Sequence, residues 1–128
     1  MDQSTVQRNF KRWNDALQSR VARNMTDLYA PEFTLLPTIL GRFIHDTAGA
    51  DAYFELFLSQ EPHAEIVEEE HQDITPDCYI HAGTYRFTFD PAAKREPLEA
   101  RFSFVWRREN GGEWLIMHHH SSQKPINR

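Results

Sequence analysis

The sequence lacks the disulfides and structural metal sites that stabilise many small proteins in addition to their hydrophobic core. It contains one cysteine, Cys78, so it can form neither an intramolecular disulfide nor the cysteine cluster of a structural zinc site. No stretch approaches the roughly 20 apolar residues of a membrane span. The first ten residues also lack the basic start and apolar run of a signal peptide. We therefore expect a cytoplasmic protein whose fold depends on its own hydrophobic core.

Motifs that bind cofactors or activate nucleophiles are missing as well. The chain has no glycine-rich dinucleotide or phosphate loop, no Gly-x-Ser-x-Gly turn and no zinc-protease signature. Its 14 Lys and Arg residues are outnumbered by 19 Asp and Glu residues, which gives a formal net charge of −5. This balance disfavours nonspecific attraction to nucleic acid or to anionic membranes. We expect no cofactor, no nucleic-acid partner and no membrane partner.

The composition that is present is typical of a folded, soluble chain. Of its 128 residues, 40% are hydrophobic, 26% are charged and 12% are aromatic. The aromatic share is too high for a disordered segment, and the charged share is too high for a membrane protein. A chain of this length fits one core. We therefore expect residues 1–128 to form a single domain.

The first half of the chain has the periodicity of helices. Apolar residues recur every three or four positions up to Val21, which predicts one amphipathic helix with a buried face. Asn24 is expected to end this region, and Thr26 to cap a short second helix. A strand is predicted over residues 33–37, and a third helix over residues 46–60.

After residue 63 the pattern changes from helical spacing to strands. Four extended runs, 64–75, 78–90, 98–109 and 113–124, are separated by short segments rich in turn-forming residues. Strands that are adjacent in sequence and joined by short turns pair in antiparallel fashion. The sequence therefore predicts an α+β fold in which three N-terminal helices pack on a curved, mainly antiparallel sheet.

The central strand runs are largely uncharged on both faces. In the run that begins at Cys78, Tyr79 and Tyr85 share one face, while Ile80 and Ala82 share the other. One layer of helices covers only one face of a sheet. We therefore expect a second copy of the chain to cover the other face, in a homodimer formed sheet to sheet.

Three consecutive histidines near the end of the chain are candidates for chemistry. Alternation along a strand places His118 and His120 on one face, about 6.5 Å apart, and His119 on the other, unless a bulge reverses the faces. The pair could exchange a proton with a substrate. It could also chelate a metal, but no acidic residue is placed by its spacing to complete such a site, and we expect none. Otherwise these imidazoles only hydrogen-bond to their neighbours.

Four further side chains combine an apolar body with a polar end. Arg101 interrupts an apolar strand, so its guanidinium needs an acceptor, either a structural carboxylate or a bound anion. The aromatic residues among them either orient a ligand or pack in the core. With the histidine pair they make up the candidate ligand-binding residues: Trp13, Tyr53, Tyr85, Arg101, His118 and His120.

Several segments resemble one known family. In chain order they are Phe10-x-x-Trp13-Asn14-x-Ala16-Leu17, Asp27-Leu28-Tyr29-Ala30-Pro31, Gly83-x-Tyr85-x-Phe87-Thr88-Phe89, Ala100-Arg101-Phe102-x-Phe104-Val105 and Trp114-Leu115-Ile116-Met117-His118-His119-His120-Ser121-Ser122. They resemble the bacterial relatives of the calcium/calmodulin-dependent protein kinase II association domain, within the nuclear-transport-factor-2-like or SnoaL-like proteins. The resemblance implies a cone-shaped fold with a curved sheet around a long first helix, a pocket between them, and dimers as the basic unit.

Two classes of function are open at this point. The first is a homodimeric module that binds a small organic ligand or carboxylate, or serves assembly, through an apolar pocket containing His and Arg between helix 1 and the sheet. The second is a cofactor-independent isomerase, dehydratase or cyclase acting on a small apolar carbonyl compound. In that enzyme His118 or His120 would be the catalytic acid or base. Tyr85 or Arg101 would stabilise the developing oxyanion.

Overall fold

The structure, a computed structural model, describes residues 1–125 as three helices and five strands. The helices are α1 (Gln3–Ser19), α2 (Ala22–Thr26) and α3 (Thr47–Leu58). The strands are β1 (Tyr29–Leu36), β2 (His63–Thr75), β3 (Cys78–Thr88), β4 (Leu98–Arg107) and β5 (Leu115–Gln123), with a short 3-10 turn at Pro91–Ala93. The predicted α+β architecture is confirmed. In the described part of the chain, no helix is both long enough and apolar enough to cross a membrane.

The five strands form one sheet in the order β1-β5-β4-β3-β2. β2 to β5 pair in antiparallel fashion with their sequence neighbours, whereas β1 pairs parallel to β5. β1 begins at Tyr29, earlier than residue 33, and therefore includes Pro31. Proline, which has no N–H to donate, is tolerated there because β1 is an edge strand. On the free edge of β1, Leu35 exchanges two backbone hydrogen bonds with Ile44.

The first helix ends earlier than its apolar pattern predicts. Arg20 takes a left-handed backbone conformation with φ 63°, and its guanidinium donates a hydrogen bond to the Leu17 carbonyl oxygen at 3.1 Å. Val21 therefore lies outside α1 and is 49% exposed. The prediction that Asn24 ends this region is wrong, because Asn24 lies inside α2. The third helix has the predicted start, since the Asp46 carboxylate accepts a hydrogen bond from the Gly49 N–H.

The core lies between α1, α3 and the inner face of the sheet. Trp13 of α1 stacks on Tyr85 of β3 with ring centroids 5.8 Å apart. The Asn14 side chain fixes α1 to β2, because its amide donates to the Ala64 carbonyl oxygen at 2.9 Å and accepts from the Ala64 N–H. The aromatic side chains buried on the inner face of β3 and β4 are Tyr79, Tyr85, Phe87, Phe102, Phe104 and Trp106.

A bulge in β2 bends the sheet. The pairing register with β3 shifts between Ile66 and Glu68, which leaves Val67 as an extra residue in β2. Gly83 lies opposite this bulge, and a Cβ atom at that position would be 2.0 Å from the Glu68 carbonyl oxygen. Only glycine allows the two backbones to approach this closely. The close approach contributes to the curvature of the sheet around α1.

Candidate functional site

The chain opens into a cleft beyond the end of β1. β1 ends at Leu36, whereas its neighbour β5 continues to Gln123. The segment 37–43 leaves the sheet at this point and returns to it at Ile44. The resulting open cleft has a volume of about 640 Å³ and is lined by residues 36–43, by residues 120–123 of β5, and by Arg95 and Leu98.

Hydroxyl and guanidinium groups provide the polar lining of this cleft. The Thr38 hydroxyl hydrogen-bonds to the hydroxyl of Ser121, which is itself buried. Arg42 and Arg95 lie on the same lining, and within residues 1–125 neither forms an ion pair. The lining of the cleft therefore includes a pair of hydrogen-bonded hydroxyls and two cationic groups, together with the polar residues His120, Ser122 and Gln123.

A chain of buried hydrogen bonds connects the core to this cleft. The Trp13 indole N–H donates to the Tyr29 hydroxyl oxygen at 3.3 Å, and this hydroxyl bonds to His119 Nδ1 at 2.9 Å. On its other side, His119 Nε2 lies 3.2 Å from the Tyr85 hydroxyl oxygen. The Tyr85 hydroxyl donates to Ser121. We call this set, continued to Thr38, the buried hydrogen-bond chain.

Burial keeps the members of this chain uncharged. Desolvation lowers the pKa of His119 well below its ordinary value, and the neighbouring His118 and His120 act in the same direction. Desolvation also raises the pKa of both Tyr29 and Tyr85. The imidazole is therefore neutral and the phenols are protonated near neutral pH. In the buried hydrogen-bond chain, the direction in which one group donates can therefore determine the direction of the next hydrogen bond, without any group carrying a net charge.

A bulge in β5 decides which histidine belongs to the chain. Trp106 pairs with Ile116, but the next residue of β4, Val105, pairs with His118, so Met117 is an extra residue in β5. Ile116 faces the core, and without the bulge His118 would do so too. The extra residue instead turns His119 inward, where its ring stacks on Phe104 at 4.0 Å between centroids.

Three of the six predicted ligand-binding residues lie in the core. Trp13 and Tyr85 belong to the buried hydrogen-bond chain. Tyr53 is buried on α3, where burial raises its pKa and hydrogen bonding with Thr38 acts in the opposite direction. None of these three side chains lines the cleft. Tyr85 and Tyr53 contact it from inside through Ser121 and Thr38, and Trp13 lies further into the core.

The other three lie on the outer face of the sheet and do not meet at one place. Arg101 is exposed on β4 beside Thr84. His118 is held by a hydrogen bond of 2.6 Å between its Nδ1 and the Thr34 hydroxyl, and burial lowers its pKa. His120 is exposed and is the one member of the predicted set that lines the cleft. A ligand-binding role for any of the six stays a prediction.

Other residues of the site were not among the six ligand-binding residues predicted from the sequence. They are Tyr29, Thr38, Arg42, Arg95, His119 and Ser121. The histidine run did indicate a polar residue on each face of β5, but nothing local showed where the strand bulges. Thr38 and Arg42 lie in an irregular segment, where no periodicity gives their direction. Among residues 1–125, no three His, Cys, Asp or Glu side chains converge to hold a metal ion.

Comparison with known proteins relates this fold and site to a family. Residues 2–125 match the calcium/calmodulin dependent protein kinase II association domain family. A solved structure from Xanthomonas campestris, described as a candidate domain of this kind, is 34% identical with a TM-score of 0.91. The match covers 98% of this chain and 89% of that one. A search of curated proteins finds none that matches the chain.

Two more distant structures share the fold. The association domain of C. elegans CaMKII has 18% identity and a TM-score of 0.72, over 93% of each chain. A nuclear transport factor 2-like protein from Salmonella enterica has 13% identity and a TM-score of 0.79, over 98% of this chain and 92% of its own. The fold is therefore the nuclear-transport-factor-2-like cone. Because the family match extends over nearly the whole sequence, the chain belongs to the calcium/calmodulin-dependent protein kinase II association domain family.

Proposed function

We propose that this one-domain chain is a homodimeric small-molecule-binding module, and that the cleft beyond β1 takes a ligand bearing a carboxylate or carbonyl group. The observation that carries the proposal is the buried hydrogen-bond chain, which ends at Thr38 and Ser121 in the lining of the cleft. Buried polar groups are costly to fold unless they are satisfied. A chain of them that reaches a cleft is therefore well suited to binding.

The charges around the cleft favour an acceptor ligand. Arg42 and Arg95 offer planar arrays of donors that match a carboxylate. The Arg95 guanidinium also lies over the Phe89 ring, 5.5 Å from its centroid, which restrains the side chain beside the cleft. A volume of about 640 Å³ lies within the range of small-molecule sites.

The outer face of the sheet supports the dimer. The half-buried side chains Ile80, Ala82 and Val105 present an apolar area there, in the middle of β3 and β4. The Thr84 hydroxyl on the same face is buried and has no partner within residues 1–125. A second copy would cover this apolar area, and the family name, association domain, agrees with self-assembly.

The second candidate is a cofactor-independent isomerase, dehydratase or cyclase acting on a small apolar carbonyl compound. The observation that favours it is the presence of His120 in the same cleft as the Thr38 and Ser121 hydroxyls. There His120 would move a proton while the hydroxyls stabilise the oxyanion. His118 and Arg101, which lie elsewhere on the outer face, take no part in this version.

Ligand titration of matched variants tests the proposal. We expect mono- and dicarboxylates such as benzoate and succinate to raise the melting temperature, and Thr38→Val combined with Arg95→Gln to weaken binding by roughly tenfold or more. Thr84→Val removes an equivalent hydroxyl outside the cleft and should leave the affinity unchanged. Equal binding by the cleft variant and the wild type, or binding of no carboxylate by the wild type, would contradict the proposal.

The same samples distinguish binding from catalysis. Exchange of the α-protons of small ketones in D2O, followed by NMR, reports enolisation. If this exchange occurs with the wild type and is lost in His120→Ala, the enzyme hypothesis holds. If carboxylates bind and no exchange is detected, the binding module holds.

A further inference from the structure

The buried hydrogen-bond chain has a direction, and Trp13 begins it. An indole N–H can donate a hydrogen bond but cannot accept one. The Tyr29 oxygen accepts the hydrogen bond from Trp13, so the hydrogen of the Tyr29 hydroxyl points to the other partner, His119 Nδ1. This nitrogen is therefore the unprotonated one.

The opposite arrangement would leave the hydrogen of the Tyr29 hydroxyl without an acceptor. If His119 carried its hydrogen on Nδ1, the Tyr29 oxygen would accept from both Trp13 and His119. The hydrogen of Tyr29 would then have no acceptor among its hydrogen-bond partners, because the Trp13 indole nitrogen offers none. Trp13 and Tyr29 are both buried, so no solvent would compensate for this conflict.

The direction continues to the cleft. A neutral His119 with an unprotonated Nδ1 carries its hydrogen on Nε2 and donates it to the Tyr85 oxygen. The Tyr85 hydroxyl donates to Ser121. Either hydroxyl of the Ser121–Thr38 pair could be the donor, and donation by Ser121 gives its hydrogen an acceptor and continues the direction. The hydroxyl hydrogen of Thr38 is then available to the Tyr53 phenol, with which Thr38 also hydrogen-bonds, or to a ligand in the cleft.

We infer that Trp13 is a specificity-determining positioning residue that fixes the direction of the chain, so that the cleft presents a hydrogen-bond donor and selects ligands that accept. This inference rests on the proposed function for its ligand, but its structural part does not. Trp13 acts through Tyr29, His119, Tyr85 and Ser121, and it touches no ligand itself. It occupies the far end of the chain from the cleft.

The chain offers a matched control for this role. Trp106 is, like Trp13, almost completely buried among the aromatic side chains of the core. Its indole nitrogen has no hydrogen-bond partner within residues 1–125. Trp106→Phe and Trp13→Phe therefore remove the same N–H from the same kind of environment, and only Trp13→Phe affects the buried hydrogen-bond chain.

The test measures the tautomer of His119 by 15N NMR, in the full chain without ligand. We expect hydrogen on Nε2 alone in the wild type and in Trp106→Phe. Trp13→Phe should show a measurable population with hydrogen on Nδ1. If Trp13→Phe does not fold, Tyr29→Phe, which removes the same link to His119, is expected to give the same mixture. An unchanged tautomer in a folded Trp13→Phe or Tyr29→Phe protein would overturn the inference.

Benzoate titration of the same proteins separates this inference from the proposed function. We expect the Kd of Trp13→Phe to rise roughly threefold to tenfold, the equivalent of one hydrogen bond, with no change for Trp106→Phe. An equal rise in both variants would contradict the specificity role. If the wild type binds no carboxylate but the tautomer mixture appears in Trp13→Phe, the proposed function fails and the direction of the chain stands.

Discussion

His119 links the core of the molecule to its cleft through a single side chain. Both ring nitrogens bond to phenolic hydroxyls, and the ring lies against Phe104. Such a ring has no room for a second proton, because one nitrogen must accept the hydrogen of Tyr29. The surroundings of His119 therefore accommodate the imidazole only in its neutral form.

Stability should fall in mild acid because of this histidine. The pKa of His119 is lowered in the folded state, whereas in the unfolded chain it is about 6.5. Below that pH the unfolded state binds more protons, so the stability is complete above about pH 6.5 and decreases as the pH falls. The slope approaches about 1.4 kcal/mol per pH unit for each such histidine. Urea denaturation at a series of pH values measures it.

The variant His119→Gln isolates this contribution. The variant is expected to be less stable at pH 7, because it loses hydrogen bonds, but to have a shallower dependence on pH between about 6.5 and 5. His81 and His118, whose pKa values are also lowered by burial, keep part of the slope. An identical slope in the variant and the wild type would show that His119 is not the titrating group.

The face of each histidine illustrates what the sequence alone could predict about the site. The alternation of side chains along a strand correctly placed His119 on the opposite face from His118 and His120. It could not show which of the two faces points into the core. That choice depends on the bulge at Met117, which arises from pairing with a distant strand. Tyr29 and Thr38 join the site through contacts with His119 and Ser121, which lie more than 80 residues away along the sequence.

At the scale of elements, the bend of β2 depends on one residue of β3. Gly83 allows the bulged backbone at Glu68 to approach, and His81 next to this point bonds to Glu69 through its Nε2 at 3.0 Å. The curvature places the aromatic face of β3 around α1. A side chain at residue 83 would push the two strands apart.

Gly83→Ala is therefore expected to destabilise the fold. The added Cβ meets the backbone of Glu68, which cannot rotate away as a side chain would, and we expect a loss of about 1–3 kcal/mol in the free energy of unfolding. Gly41→Ala is the control, because nothing lies within 4 Å of a Cβ there. Chemical denaturation compares the two variants. Similar stabilities would mean that the bulge relaxes without cost.

The spacing of apolar residues predicted most of these elements, because each of them buries one face in the core. The first and third helices and the strands β2 to β5 lie within a few residues of their expected positions, whereas the second helix ends at Thr26, the residue expected to cap its start. The parallel pairing of β1 with β5 was not predictable in this way, because it joins the two ends of the chain. The early end of α1 was also missed, because Arg20 bonds to Leu17 and to the distant Pro62 carbonyl instead of continuing the helix.

At the scale of the whole molecule, the outer face of the sheet carries the predicted dimer contact. Its middle is apolar at Val105, while Arg101 and Glu68 flank Thr84 in neighbouring strands. A two-fold axis through such a face can place the arginine of one copy against the carboxylate of the other. The apolar centre and the paired charges of Arg101 and Glu68 would together favour one orientation of the second copy.

Sedimentation of two valine variants tests the dimer. We expect the molecular mass of the wild type from sedimentation to be twice the 15.1 kDa of one chain. Val105→Glu is expected to be a monomer, because the new carboxylate would have to be buried in the dimer contact. Val67→Glu introduces the same change at a position that is 55% exposed on the β2 bulge, and it should remain dimeric. A wild type that sediments at 15.1 kDa would contradict the dimer.

The cleft exists because β1 stops while β5 continues. Its length along the sheet is thus the difference in length between two neighbouring strands, and neither the core nor the helices determine it. Extending the pairing of β1 by two residues would close it, and shortening the strand would enlarge it. A few residues at the end of one edge strand therefore determine the length of the cleft.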